Sequence, residues 1–178
     1  MSYCGTRKLP GARAMLAAAI FAITLVTATA LPQNASGEER SCRGKLGRVT
    51  MDNLRVPQRA VCVLNGTRVK GVITVQRDAI LIANGVRVVG NVQAENARNV
   101  VVRRSSRVGG SIQLDHGARA SVLASRVGGD IQVIAYSGRV VIARNVVNGN
   151  LECKENRLAP TGGRNVVGEN KLDQCARL

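Results

Sequence analysis

Residues able to perform acid–base or nucleophilic chemistry are few in this sequence and lie far apart. The single histidine, His116, directly follows Asp115. Adjacent side chains on a strand point to opposite faces, so His116 is interpreted as an exposed turn residue rather than part of a Ser-His-Asp site. The 11 acidic residues are scattered, whereas polysaccharide-cleaving sites need converging acids. We expect no enzyme, cofactor or metal; a polysaccharide-active enzyme is the remaining catalytic alternative.

The spacing of four cysteines favours disulfides over metal or redox chemistry. Cys42 and Cys62 are 20 residues apart, and Cys153 and Cys175 are 22 apart, unlike a C-x-x-C pair or a zinc site. Residues one coil apart in a stack of 20-residue coils have Cα atoms about 5–6 Å apart, which suits a disulfide. This spacing predicts the bridges Cys42–Cys62 and Cys153–Cys175, each tying a cap to the terminal full coil.

Arginine recurs at regular intervals in a strongly basic chain. Lys and Arg number 26 against 11 acidic residues, for a net charge of +15. One set follows intervals of 19, 20 and 19 residues and comprises Arg68, Arg87, Arg107 and Arg126. A second set recurs at 18 to 21 residues and comprises Arg59, Arg77, Arg98, Arg119 and Arg139. Stacked coils would turn each set into a column of guanidinium groups.

Three interpretations of the arginine columns stay open. Like charges on neighbouring coils repel by about 1 kcal/mol per pair in screened solvent, so something must offset them. The first interpretation is a solvated basic face, and the second is binding of an anionic envelope polymer such as lipopolysaccharide, teichoic acid or an acidic glycan. The third, nucleic acid, is least favoured, because aromatic residues, which stack on unpaired bases, are only 2% of the chain.

A repeat of 19 to 20 residues must position these side chains. Glycines mark it at intervals of 19, 20, 19, 20 and 19: Gly71, Gly90, Gly110, Gly129, Gly149 and Gly168. A valine stands two residues before each glycine, and apolar residues stand two and four residues after most of them. This alternation is typical of strands with one buried face. The unit is too short for a βαβ crossover, so it predicts a coil of two or three short strands.

The predicted fold is therefore all-β: a single parallel β-helix, a right-handed solenoid of about six coils of 19–20 residues after an N-terminal signal helix. Neither a β-sandwich nor a leucine-rich repeat explains the fixed offsets. We expect a linker and N-terminal cap over residues 31–59 and the β-helix over residues 60–175. The last coil is expected to be a degraded cap, because Pro160 and Gly162-Gly163 replace its apolar strand.

The N-terminus has the features of an export signal over residues 1–30. Arg7, Lys8 and Arg13 precede the nearly apolar stretch from Met15 to Val26, and Ala28-Thr29-Ala30 fits the small-x-small cleavage pattern. Cleavage after Ala30 predicts a secreted or periplasmic protein with no stable membrane span. The alternative is that the segment is retained as an anchor, because its length approaches the ~17 residues needed to span a bilayer.

Turn motifs in the repeat resemble those of known β-helices. They include Gly90-Asn91-Val92-Gln93, Gly110-Ser111-Ile112-Gln113 and Gly129-Asp130-Ile131-Gln132. With the tail from Gly149 onward, they resemble a group of small exported bacterial β-helix repeat proteins and are distantly similar to bactofilins, which are polymer-forming scaffolds. The resemblance covers residues 60–175 and implies a β-helix capable of self-association, without an active site. The export signal and the cysteines depart from the bactofilin pattern.

These observations lead to one expected function and one alternative. We expect a non-enzymatic, exported structural or binding module of the bacterial cell envelope. Its candidate anion-binding residues are Arg68, Arg87, Arg107 and Arg126. The alternative is a bactofilin-like scaffold that assembles with copies of itself.

Overall fold

The computed structural model describes residues 37–178, and within this range it contains 22 short strands and no helix. In chain order the strands are β1 (Glu39–Ser41), β2 (Gly44–Leu46), β3 (Thr50–Met51), β4 (Asn53–Val56), β5 (Val61–Asn65), β6 (Arg68–Val69), β7 (Ile73–Val75), β8 (Ile80–Asn84), β9 (Arg87–Val88), β10 (Val92–Glu95), β11 (Asn99–Arg103), β12 (Arg107–Val108), β13 (Ile112–Asp115), β14 (Ala120–Leu123), β15 (Arg126–Val127), β16 (Ile131–Ile134), β17 (Val140–Ala143), β18 (Val146–Val147), β19 (Leu151–Lys154), β20 (Thr161–Gly163), β21 (Val166–Val167) and β22 (Lys171–Asp173).

These strands form three parallel sheets in which every neighbour is three strands away in the chain. Sheet 1 has the order β1-β4-β7-β10-β13-β16-β19-β22, sheet 2 the order β2-β5-β8-β11-β14-β17-β20, and sheet 3 the order β3-β6-β9-β12-β15-β18-β21. Each coil thus contributes one strand to each sheet, and the coils stack into a β-solenoid of about seven turns. The predicted parallel solenoid is confirmed, with one turn more than the six expected.

The additional turn lies at the N-terminal end. Strands β1, β2 and β3 pair in parallel with β4, β5 and β6, so the ladders run through residues 39–56, ahead of the first regular glycine. The predicted signal helix over residues 1–30 falls outside the described residues. Between residues 37 and 178, no helix is long and apolar enough to cross a membrane.

The core is built from stacked aliphatic side chains. The second residue of each two-residue strand in sheet 3 points inward: Val69, Val88, Val108, Val127 and Val147 are each at most 2% exposed. In β21 the register partner of Val147 is Val167, so Val166, two residues before Gly168, points outward and is 65% exposed. Strands of sheets 1 and 2 alternate buried and exposed positions in the same way, as in Ile112 and Leu114 of β13. Full burial of such a side chain contributes about 1.5–3 kcal/mol relative to exposure. Identical offsets in the chain therefore become columns of apolar contacts.

Four of the six repeat glycines, Gly71, Gly110, Gly129 and Gly149, provide space for a side chain of the preceding coil, whereas Gly90 and Gly168 lie against a backbone carbonyl. A Cβ at Gly110 would collide with Oδ1 of Asn91, which accepts a hydrogen bond from the Ser111 N–H at 2.8 Å. The same arrangement recurs between Gly149 and Asp130, whose Oδ1 accepts from the Asn150 N–H at 2.7 Å. Neither glycine has a left-handed φ. Their role is close approach between coils.

Both predicted disulfides are present and connect neighbouring coils at the two ends. Cys42–Cys62 joins residues whose Cα atoms are 5.6 Å apart, and for Cys153–Cys175 this distance is 5.1 Å. After β22 the chain makes a series of turns in which Cys175 is fully buried and Leu178 is 9% exposed. The C-terminal tail therefore adds two apolar side chains to the end of the core.

Candidate anion-binding face

The four arginines of the first set lie in one column on sheet 3. Each occupies the first position of a two-residue strand, in β6, β9, β12 and β15. Register pairs Arg68 with Arg87, Arg87 with Arg107, and Arg107 with Arg126. Strands in a sheet are about 4.8 Å apart. Four guanidinium groups thus extend from one line parallel to the stacking direction.

Each arginine is held between two buried residues. The following valine packs in the core, and the preceding residue lies in a buried column that contains Thr67, Ser106, Ser125 and Asn145. Ser106 Oγ donates to Arg103 O at 2.6 Å and accepts from the Val86 N–H at 3.2 Å. Because both neighbours are fixed, the backbone of each arginine is fixed and only its side chain extends into solvent. The column is preorganised in backbone position.

The column arginines are exposed and lack acidic partners among residues 37–178. The ion pairs in this range join Arg55 with Glu39, Lys70 with Asp52, His116 with Asp115, and Lys154 with Glu155. The described strands of sheets 2 and 3 contain no Asp or Glu, and neither do the turns that lead from sheet 2 to sheet 3. Asp52, Asp130 and Glu169 stand in the turns that lead from sheet 3 to sheet 1, but none of them forms an ion pair with a column arginine. Repulsion between the arginines is therefore offset mainly by solvent ions or by a bound anion.

The turn between sheets 2 and 3 adds basic residues that the spacing analysis missed. Arg104, Arg144 and Arg164 are exposed there, each in the left-handed region with φ between 58° and 62°. Glycines Gly66 and Gly85 occupy the same turn in earlier coils, so no single residue type marks this column. Each of the three directly follows the last residue of its sheet 2 strand, in β11, β17 and β20, so counting from the end of that strand, instead of searching for arginine periods, would have located them.

A shallow groove runs beside the arginine column. It has a volume of about 440 Å³, and its lining includes Arg87, Arg107, Arg126, Val89, Gly109 and Gly128. A Cβ at Gly109 or Gly128 would collide with the carbonyl oxygen of the coil before it. The glycines keep the groove floor at backbone level, so an extended ligand can lie against the sheet within reach of three guanidinium groups.

The second arginine set does not form a comparable column. Arg139 stacks on Arg119, because β14 and β17 pair Ala120 with Val140. In the next coil toward the N-terminus, the position equivalent to Arg119 is occupied by Asn99. Asn99 in turn pairs with Ile80 one coil further on. Arg98 lies one residue earlier than this line. The intervals of 18 to 21 residues thus do not mark equivalent positions, and the sequence-based column of five is wrong.

A larger groove of about 620 Å³ lies on sheet 1, away from the arginine column. Its lining includes Gln93 and Gln113. These two residues belong to a side-chain ladder in which Gln93 donates to Gln113 at 3.0 Å and, further along, Gln132 donates to Glu152 at 3.2 Å. These bonds hold adjacent coils together. The groove also brings Glu95 and Asp115 into register on adjacent coils. Both acids stand five residues after a repeat glycine, so they are regularly spaced, unlike the scattered distribution expected from the sequence.

His116 is an exposed turn residue, with Nδ1 at 2.8 Å from Oδ1 of Asp115. No group of three or more His, Cys, Asp or Glu residues able to hold a metal occurs in residues 37–178. Behind this turn, the fully buried ring of Tyr136 fills the space left by Gly117. Its hydroxyl has no hydrogen-bond partner among the described residues. Desolvation, and secondly the charge of Asp115, raise the pKa of the phenol above its ordinary value of 10.0.

Fold and surface together define a parallel β-solenoid with two disulfides between its coils. Its sheet 3 side carries the arginine column, and the described strands of that sheet contain no acidic residue. Comparison of the chain with protein-family models, with curated proteins and with solved structures found no match.

Proposed function

We propose that this protein is a non-enzymatic, exported module of the bacterial cell envelope that binds anionic polymers along sheet 3. The observation that carries the proposal is the in-register column of Arg68, Arg87, Arg107 and Arg126. A polymer with phosphate or carboxylate groups at regular intervals can engage several arginines at once. Bidentate pairing with each anion suits the guanidinium group.

Two features favour a polymer over a small anion. The groove beside the column is open, spans several coils and is lined by three of the column arginines. Each guanidinium contact is weak on an exposed surface, so useful affinity requires several contacts in one ligand. A linear polyanion supplies them. Acidic glycans and the phosphorylated polymers of bacterial envelopes have this chemistry.

Export is supported by the two disulfides between coils. Such bonds persist in oxidising compartments and are rare in the cytosol. We propose a secreted or periplasmic location after removal of residues 1–30.

The test is retention of the purified protein on immobilised heparin and lipopolysaccharide across a salt gradient. Arg87→Ala combined with Arg107→Ala should weaken binding about tenfold at moderate salt, since two exposed contacts worth up to about 1 kcal/mol each are lost. The slope of affinity against salt concentration should fall because fewer counter-ions are released. The matched control, Arg77→Ala with Arg98→Ala, removes the same charge from the turn between sheets 1 and 2. Equal weakening by both double variants would overturn the proposal.

Self-assembly is the second candidate, favoured by the end strands. In the described residues, β1, β2 and β3 at one end and β20, β21 and β22 at the other pair on one side only. An unpaired strand edge can extend its sheet with another copy of the chain. Charged residues on these strands, including Glu39, Arg40, Lys171 and Asp173, oppose this. The two candidates are separated by the size of the particle in solution.

A further inference from the structure

The outward face of sheet 2 is aliphatic, unlike that of sheet 1. Its central column is in register through β5, β8, β11, β14 and β17 and consists of Val63, Ile82, Val101, Ser121 and Val141. The corresponding outward column of sheet 1 contains Thr74, Gln93, Gln113 and Gln132. Solvated faces of sheets are normally polar. Folding alone therefore does not explain why four of the five residues in this outward column are aliphatic.

Flanking positions widen this aliphatic face. Val61 is 46% exposed and pairs with the outward Ile80 in the next coil. At the opposite edge of the sheet, Leu123 pairs with Ala143. Among residues 37–178, the elements in close contact with the strands of sheet 2 are their neighbours in the same sheet. Contiguous apolar patches on soluble proteins mark sites of interaction with proteins or membranes.

Basic residues border the aliphatic face. Arg119 and Arg139 are exposed on the side of sheet 1, and Arg103 stands on the side of sheet 3, where its Nε donates to Asn84 Oδ1 at 2.8 Å. Lys45 stands at the N-terminal end of the central column, paired with Val63. The described strands of sheet 2 contain no acid. The turns that lead from sheet 1 to sheet 2 hold two acids, Asp78 and Glu155, against seven arginines, Arg43, Arg59, Arg77, Arg98, Arg119, Arg139 and Arg157. The face thus combines an aliphatic centre with a border of net positive charge.

The aliphatic centre and the charged border together favour an anionic lipid surface over a second copy of the chain as the partner of this face. A second copy docked face to face would bring like-charged borders together, which is unfavourable. An anionic lipid surface offers acyl chains to the aliphatic centre and negative headgroups to the arginines, as for interfacial amphipathic segments.

We propose that sheet 2 docks peripherally on an anionic lipid bilayer, with the central column facing the headgroup–acyl boundary. This proposal is independent of polymer binding, which uses sheet 3. Docking through sheet 2 leaves sheet 1 facing away from the bilayer, because the two sheets form different sides of the solenoid.

The first test measures partition onto vesicles of phosphatidylcholine with 30% phosphatidylglycerol. Val101→Glu should weaken partition at least about tenfold, because it puts a carboxylate into the aliphatic centre. The matched control Gln113→Glu adds the same charge to sheet 1 and should change partition less than about twofold. All proteins carry the same residues 1–36, so that segment contributes equally. Equal partition of the two variants would overturn the proposal.

The second test identifies the face in contact with lipid. An environment-sensitive fluorophore is attached at Ser121→Cys on sheet 2 or at Gln113→Cys on sheet 1, each with Cys4→Ser. With the anionic vesicles, emission from position 121 should shift to the blue, while emission from position 113 should not. The shift should disappear with pure phosphatidylcholine. Equal shifts at both positions, or none at 121, would overturn the proposal. Heparin retention should be equal for Val101→Glu and Gln113→Glu, so failure of this inference is distinguishable from failure of polymer binding.

Discussion

At the scale of single residues, glycine and asparagine act as a pair across coils. Gly110 has no side chain because Asn91 Oδ1 of the preceding coil occupies the place of a Cβ and accepts a hydrogen bond from the Ser111 N–H. The sequence showed the regular spacing of the glycines but not why glycine is needed at these positions. The partner residue varies among Asn, Ser and Asp, and only the register shows that these polar residues share one role.

We predict that Gly110→Ala destabilises the protein. The added methyl must displace Asn91, and the Ser111 N–H loses its acceptor, at a cost of about 1–3 kcal/mol. Gly47→Ala is the control, because a Cβ there has nothing within 4 Å and no left-handed φ; its effect should stay within about 0.5 kcal/mol. Chemical denaturation followed by circular dichroism measures both. Equal midpoints for the two variants would contradict the role assigned to Gly110.

Tyr136 is the other residue whose environment the sequence did not reveal. It is the one aromatic side chain of the core formed by the described residues, and its ring lies against Gly117. Aliphatic residues form the rest of this core, so nothing in the repeat pattern indicates where a ring fits. Gly117 lies outside the series of repeat glycines. Glycine is required there because the ring of Tyr136, one coil later, occupies the space that a side chain would need.

Stability should fall at alkaline pH because of Tyr136. Burial raises the pKa of the phenol above 10.0 in the folded state, so above about pH 10 the unfolded chain releases this proton while the folded chain retains it. The free energy of unfolding then decreases by about 1.4 kcal/mol per pH unit from this residue. Tyr136→Phe should lack this component. Denaturation at pH 8 to 11.5 measures it; identical pH slopes for wild type and variant would contradict the prediction.

At the scale of strands, the two arginine sets show when a regular spacing in the sequence predicts that residues stack on one another. The first set was aligned on the residue before an inward valine, and all four members are register partners. The second was collected near a turn without such a reference, and only Arg119 and Arg139 share a position. Coil length varies by a residue or two at the turns, so a period predicts stacking only when it is measured from a buried strand residue.

We predict that the end strands keep the protein monomeric, with the C-terminal tail as the cap. Cys175 and Leu178 are buried at the end of the core and are tied to β19 through Cys153. Replacing Cys153 and Cys175 by alanine frees the tail and exposes the apolar end of the core beside β20, β21 and β22, whose outer edges are already unpaired. Native mass spectrometry should find monomers of wild type and larger species of the variant. Filaments of the wild type would favour the scaffold function instead.

At the scale of the whole solenoid, charge is segregated by side. Acids on strands occur only in sheet 1 within the described range, whereas sheets 2 and 3 and the turn between them carry only basic charges. The net charge of +15 indicated a basic surface, but the confinement of the strand acids to sheet 1 appears only once residues are assigned to sheets. The parallel solenoid and both disulfides were predictable, because they depend on the repeat length alone. The turn arginines and the aliphatic face required the register.

The most direct test of this account is the distance between spin labels at positions 68 and 166. Both positions are exposed on the outward column of sheet 3 and lie five coils apart. Arg68→Cys and Val166→Cys provide the cysteines for labelling. In a background with Cys4→Ser, the native disulfides leave these as the two labelled sites. Stacked coils predict a distance distribution centred near 24 Å in double electron–electron resonance, which is five spacings of about 4.8 Å. A distribution centred below about 18 Å or above about 30 Å would show that equal offsets in the chain are not vertical neighbours.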